Sequence, residues 1–83
     1  MKINLRIEFV SGESKEIVCS ASDMVKFEDK FDRSVAILES QPKLTYLLFL
    51  AWASEVRTKS TSKEFEVWIE DIETVGASEI DPK

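Results

Sequence analysis

The sequence predicts a small α+β domain, with an N-terminal β-hairpin followed by three to four α-helices in a small bundle. Two observations predict this class. Residues 3–9 alternate apolar and polar side chains, which is the period of a strand with one buried face. From residue 22 onward, apolar residues recur at spacings of three and four, which is the period of helices packed through one face. We expect a single domain over residues 1–75 and a flexible acidic tail over residues 76–83.

The hairpin is predicted from two short strands and a turn. The alternating strand presents one apolar face, formed by Ile3, Leu5, Ile7 and Phe9. Gly12 can adopt the positive φ of a tight turn, and residues 15–19 then form the return strand. Its register stays open, because Ile17, Val18 and Cys19 are consecutive. Since a two-stranded hairpin is marginal alone, it must lie against the helices.

The first helix is predicted over residues 22–32. Ser20 and Asp23 have the spacing of a capping box, in which each side chain satisfies a free backbone N–H of the other residue. An apolar stripe follows at helical spacing, formed by Met24, Phe27 and Phe31. Residues 34–39 then form a short helical connector that fills the core.

The second helix is predicted over residues 42–57 and is apolar nearly all the way round. Its segment LTYLLFLAWA has nine apolar residues in ten, which is typical of a helix buried on every side. The run is about half the ~20 residues of a membrane span, and Lys43 and Arg57 bracket it, so no membrane span is expected. A hairpin and two short helices do not readily surround such a helix. We therefore expect part of it to contact other subunits or a partner; the alternative is a wholly internal helix.

A last helix is predicted over residues 62–73. Thr61 and Glu64 have a second capping-box spacing, and the apolar residues Phe65, Trp68, Ile69 and Ile72 follow at i, i+3, i+4 and i+7. Acidic residues decorate the other face. The charge is uneven along the chain, because residues 1–63 hold ten basic and nine acidic side chains whereas residues 64–83 hold one basic and seven acidic.

The composition argues against an enzyme. The chain has no histidine, which is the commonest general base and metal ligand, and its one cysteine, Cys19, cannot build a zinc site. Two glycines cannot form a phosphate-binding loop. We predict no catalytic, cofactor-binding or metal-binding residues. A net charge of −5 without a basic patch argues against nucleic-acid binding, and the unpaired cysteine favours a cytoplasmic protein.

The order of these segments resembles the small tail assembly chaperones of long-tailed bacteriophages. The family pattern has three blocks: D-x-x-x-F-E-x-x-F, then a Leu-rich helix ending in A-W or A-x and a basic residue, then F-x-x-W/F-L/I-x-x-I/V. The first block is matched by Asp23, Phe27, Glu28 and Phe31. The second is matched by Leu47, Leu50, Ala51, Trp52 and Arg57, and the third by Phe65, Trp68, Ile69 and Val75. The match covers residues 20–75.

The resemblance implies a non-catalytic assembly factor. Members of the family bind the tape measure protein, keep it soluble while tail tube subunits are recruited, and leave before the tail matures. The implied partners are the tape measure protein, the tail tube protein and a frameshifted longer form of the chaperone itself, and the implied state is a homo-oligomer. The implied location is the host cytoplasm during assembly, and not the mature virion.

We expect the client-binding surface on one side of the 42–57 helix, formed by Tyr46, Phe49, Leu50, Trp52 and Ala53. On this hypothesis, Phe49→Asp or Leu50→Asp abolishes association while the fold survives. Two alternatives stay open. One is a self-assembling head or tail completion protein that uses the same helix for permanent contacts. The other is a small acidic adaptor or inhibitor whose residues 64–83 mimic nucleic acid.

Overall fold

The computed structural model describes residues 2–81, and the side chains of residues 3–78 within them. Three strands form one antiparallel sheet in the order β2-β1-β3. The strands are β1 (Lys2–Phe9), β2 (Ser14–Val18) and β3 (Ile72–Asp81). The α-helices of the described residues are α1 (Ala21–Phe31), α2 (Leu44–Arg57) and α3 (Phe65–Trp68), with 3₁₀ turns at Val35–Glu39 and Ile69–Asp71. The predicted α+β class is confirmed, with three helices in the described part of the chain.

The N-terminal hairpin forms as predicted, and the structure fixes its register. Gly12 has a φ of 99°, in the left-handed region that favours glycine. Leu5 pairs with Ile17, so Ile17 points to the core, whereas Val18 lies on the open face of the sheet and is 63% exposed. Cys19 points inward like Ile17, so residues 17–19 alternate between the two faces as in a half-buried strand.

The capping box of α1 is confirmed. The backbone N–H of Ser20 donates to Asp23 Oδ2 at 2.9 Å, and the backbone N–H of Asp23 donates to Ser20 Oγ at 3.3 Å. The helix ends at Asp32, which adopts the left-handed conformation with a φ of 53°. Between these ends, Phe27 is fully buried against the sheet and α2. The connector is a 3₁₀ turn that buries Val35 and Leu38.

The predicted last helix over residues 62–73 is wrong at both ends, and the predicted capping box of Thr61 and Glu64 does not form. The α-helix begins at Phe65, with no side-chain cap, and ends at Trp68. Beyond the following 3₁₀ turn, the chain becomes β3, which pairs with β1 along its length. The physical reason is that β1 is the central strand. Its second edge would leave buried backbone N–H and C=O groups without partners unless another strand covered it.

Residues 76–81, predicted as part of a flexible acidic tail, form the second half of β3. Gly76 pairs with Arg6 and Ala77 with Leu5, and a bulge separates the latter pair from the pairing of Glu79 with Asn4. Residues 82 and 83 lie outside the described residues. Strand β3 therefore belongs to the domain.

The core lies between the inner face of the sheet and the helices. In β1, Ile3, Leu5 and Ile7 are each 0% exposed. Helix α2 packs against the sheet and against α1, and it begins at Leu44, two residues after the predicted start at residue 42. The helix is surrounded more fully than the sequence suggested, because β3 extends the sheet beneath it.

Candidate partner-binding surface

Four of the five residues predicted to bind a partner lie in the core. Leu50 is 0% and Ala53 1% exposed, and Tyr46 and Phe49 are 6% and 7% exposed. Only Trp52 is half-buried and reaches the surface. In the isolated chain, these residues do not form one accessible face. Whether any of them contacts a partner stays a prediction.

The aromatic members of this set pack against α1. The Tyr46 ring lies 5.2 Å from the Phe27 ring and 5.0 Å from the Phe31 ring, measured between centroids. The Phe49 ring lies 5.4 Å from the Phe31 ring. These are ordinary edge-to-face distances in a protein core. The side of α2 assigned to a partner thus serves to join α1 and α2.

The accessible part of α2 is a strip next to this set. Every fourth residue along it is apolar and incompletely buried, and we call this row the outer face of α2; its members are Leu44, Leu48, Trp52 and Val56. Leu44 is 61% exposed and the other three are half-buried. No charged residue lies between Lys43 and Glu55 in the sequence. A surface helix normally carries charged side chains on its solvent side, so this apolar row is a candidate interaction surface.

A pocket of about 370 Å³ adjoins the outer face of α2 at Trp52. We call it the aromatic pocket. It is lined by Lys30, Phe49, Trp52, Glu64, Phe65 and Glu66. The indole N–H of Trp52 donates to the backbone carbonyl of Lys63 at 2.9 Å, which ties the loop before α3 to α2. The pocket extends the accessible apolar surface of α2 toward α3, where Val67 is 50% exposed.

An ion pair between the buried Asp23 and the partly exposed Arg57 joins the start of α1 to the end of α2. Arg57 Nε donates to Asp23 Oδ1 at 3.1 Å and to Oδ2 at 3.2 Å, and Asp23 is 0% exposed. Ser54 Oγ accepts a further hydrogen bond from Arg57. This pair was not predicted from the sequence. Asp23 was assigned to the capping box and to the first block of the family pattern, and no short-range spacing connects it to a residue 34 positions away.

A second ion pair fastens β2 to α2. Lys15 Nζ lies 2.9 Å from Glu55 Oε1, and Glu55 is 5% exposed. Lys15 points to the inner side of the sheet, where its charge is neutralised by Glu55 and hydrogen-bonded to Ser60. The C-terminal half of α2 is thus joined to β2 and to the start of α1 by ion pairs, and its N-terminal half is joined to α1 by aromatic contacts.

The polar residues of the family-like pattern have structural roles in this chain. Asp23 caps α1 and holds Arg57. Glu28 Oε2 accepts the backbone N–H of Val35 at 2.9 Å and so caps the connector. Phe27 and Phe31 pack on each other with centroids 4.9 Å apart. The pattern therefore describes how α1, the connector and α2 fit together.

Cys19 is buried near the Asp23–Arg57 ion pair, and burial raises the pKa of its thiol from 9.0 to about 12. The negative charge of Asp23 raises the pKa further, and Arg57 opposes it. Because the pKa of the Cys19 thiol is higher in the folded protein than in the unfolded chain, the protonated thiol adds to the free energy of unfolding. This addition is fully present below pH 9 and is lost as the pH rises from 9 toward 12. The thiol is structural and unreactive at neutral pH.

We expect iodoacetamide to alkylate Cys19 of the folded protein about 10³-fold more slowly than in urea at pH 8, because the thiolate fraction falls about tenfold for each unit of pKa. Mass spectrometry of quenched samples measures both rates. Similar rates in the two states would contradict the buried position of Cys19.

The described residues contain no cluster that could bind a metal: between residues 2 and 81, no group of three or more His, Cys, Asp or Glu side chains has a suitable arrangement. None of the helices in that range is long and apolar enough to cross a membrane. Comparison of the chain with family models, curated proteins and solved structures finds no match.

Proposed function

We propose that the protein is a non-catalytic assembly chaperone of a long-tailed phage, which binds apolar helical segments of the tape measure protein and keeps them soluble. The observation that carries the proposal is the outer face of α2. It offers Leu44, Leu48 and Trp52 to a partner on a helix without charged residues from 44 to 54. An amphipathic client helix can lay its own apolar stripe along such a row.

The surface suits reversible binding. Leu48 and Trp52 are half-buried already, so a client would cover only a narrow strip of apolar area. Interfaces of modest area and partly polar rim give transient complexes. The surrounding charge, −5 for the whole chain, keeps the chaperone soluble while the strip stays open. A factor that must leave before the tail matures needs these properties.

Co-expression tests the proposal. The tagged 83-residue chain is produced together with the tape measure protein of the same genome, and the soluble fraction is captured by the tag. We expect a tape measure protein that is insoluble alone to become soluble and to co-purify. If the tape measure protein stays insoluble and nothing is captured, the chaperone function is wrong.

The same surface would also serve a self-assembling structural component, in which the outer face of α2 is covered permanently by another subunit. Purified virions separate the two functions. A chaperone is absent from them, whereas a head or tail completion protein is present in fixed copy number.

A further inference from the structure

The aromatic pocket has a preformed floor. The rings of Phe49, Trp52 and Phe65 are mutually in contact, with centroid distances of 5.7 Å from Trp52 to each of the others and 6.0 Å between the two phenylalanines. Phe49 is anchored in the core, and the hydrogen bond from Trp52 to Lys63 fixes the indole. The rings therefore hold one another in place, and a ligand would meet a surface that needs little ordering.

The rim of the aromatic pocket carries an excess of negative charge. Glu64 and Glu66 are exposed, and neither has an ion-pair partner within residues 2–81. The only basic side chain that lines the pocket is Lys30, contributed by α1. Two carboxylates and one ammonium leave a formal charge of −1, which one added cation would balance.

Aromatic faces and free carboxylates together favour a guanidinium group. Its flat, weakly hydrated surface stacks on aromatic rings, while its N–H groups reach carboxylates in pairs. The aliphatic stem of an arginine would cover the rings on its way in. An uncharged apolar side chain would fill the same space but leave the carboxylates without a partner.

We infer that the aromatic pocket binds the guanidinium group of an arginine side chain on the client, with Trp52 and Phe65 as the stacking surface and Glu64 and Glu66 as the charge partners. The inference deepens the proposed function and rests on it for the identity of the client. The client then contributes a helix whose apolar stripe packs on the outer face of α2 and whose arginine side chain enters the aromatic pocket.

A matched pair of small probes tests the pocket in the intact protein. N-acetyl-arginine methylamide is titrated against ¹⁵N-labelled protein and compared with N-acetyl-citrulline methylamide, which has nearly the same shape without the charge. We expect the arginine probe to shift the indole N–H signal of Trp52 and the amide signal of Phe65. We expect the Kd of the citrulline probe to be at least roughly threefold to fivefold higher than that of the arginine probe.

Substitutions at the rim separate charge from shape. Glu64→Gln and Glu66→Gln should each weaken binding of the arginine probe by roughly twofold to fivefold, and raised salt should do the same in the wild type. Glu39→Gln changes an exposed glutamate that does not line the pocket, and it should leave binding unchanged. Equal binding of the two probes, or no effect of the rim variants, would overturn the inference.

The two proposals fail in different ways. If the tape measure protein is captured by wild type and by the Glu64→Gln/Glu66→Gln double variant alike, and the probes do not discriminate, the chaperone function stands and the arginine pocket is wrong. If the probes discriminate but no tape measure protein is captured, the pocket stands and the assigned client is wrong.

Discussion

Leu50→Asp is expected to unfold the protein, because Leu50 is 0% exposed and its replacement puts a carboxylate into the core. Loss of a buried leucine side chain alone costs about 2–5 kcal/mol, and an unpaired buried charge adds several more. The whole free energy of unfolding of a domain this size is about 4–12 kcal/mol. Far-UV circular dichroism and a urea titration measure the loss.

Leu44→Asp is the matched control on the same helix. Leu44 is 61% exposed at the first position of α2, where a negative charge interacts favourably with the helix N-terminus. We expect its free energy of unfolding to lie within about 0.5 kcal/mol of wild type. A folded Leu50→Asp protein would contradict the assigned core and would restore the expectation that this side of α2 is a contact surface.

Arg57→Met should destabilise the protein by about 3–5 kcal/mol, the second-largest effect we expect. The substitution keeps the bulk of the side chain but leaves Asp23, which is 0% exposed, without its counter-charge. The urea midpoint should fall while the slope of the transition stays the same.

The double variant Asp23→Asn/Arg57→Met distinguishes an uncompensated charge from lost packing. The introduced asparagine carries no charge and still offers an oxygen to the backbone N–H of Ser20, so the double variant should be more stable than Arg57→Met alone. If the double variant is less stable than the single one, the ion pair is not the reason for the loss.

The sequence predicted the elements whose signals are local. The strict alternation in β1, the turn at Gly12 and the capping box of α1 each depend on residues a few positions apart, and all three are confirmed. Strand β3 was missed because Ile72, its first residue, continues the helical spacing of Phe65, Trp68 and Ile69. Residues 72–81 form a strand because they pair with the second edge of β1, which lies at the other end of the chain. Ile7, for example, pairs with Val75.

The missed strand β3 also bears on why one side of α2 was assigned to a partner. Without a third strand, α2 had too little predicted structure around it, so one of its apolar sides was assigned to a partner. In the structure, Tyr46 and Phe49 pack against Phe27 and Phe31 of α1, and Leu50 and Ala53 are also buried within the chain. Apolar spacing alone could not distinguish the two sides. The ion pairs of Glu55 with Lys15 and of Arg57 with Asp23 join residues far apart in the sequence, so they could not help either.

The most direct test of the central claim is capture of the tape measure protein by variants that differ only in which exposed apolar residue is replaced. Leu44→Asp removes a residue of the outer face of α2, and Val18→Asp removes a residue of similar exposure on the open face of the sheet, 61% against 63%. Both variants are first shown to be folded. We predict that Leu44→Asp weakens client binding at least about tenfold and that Val18→Asp leaves it unchanged. Equal capture by the two variants would contradict a client-binding role for the outer face of α2.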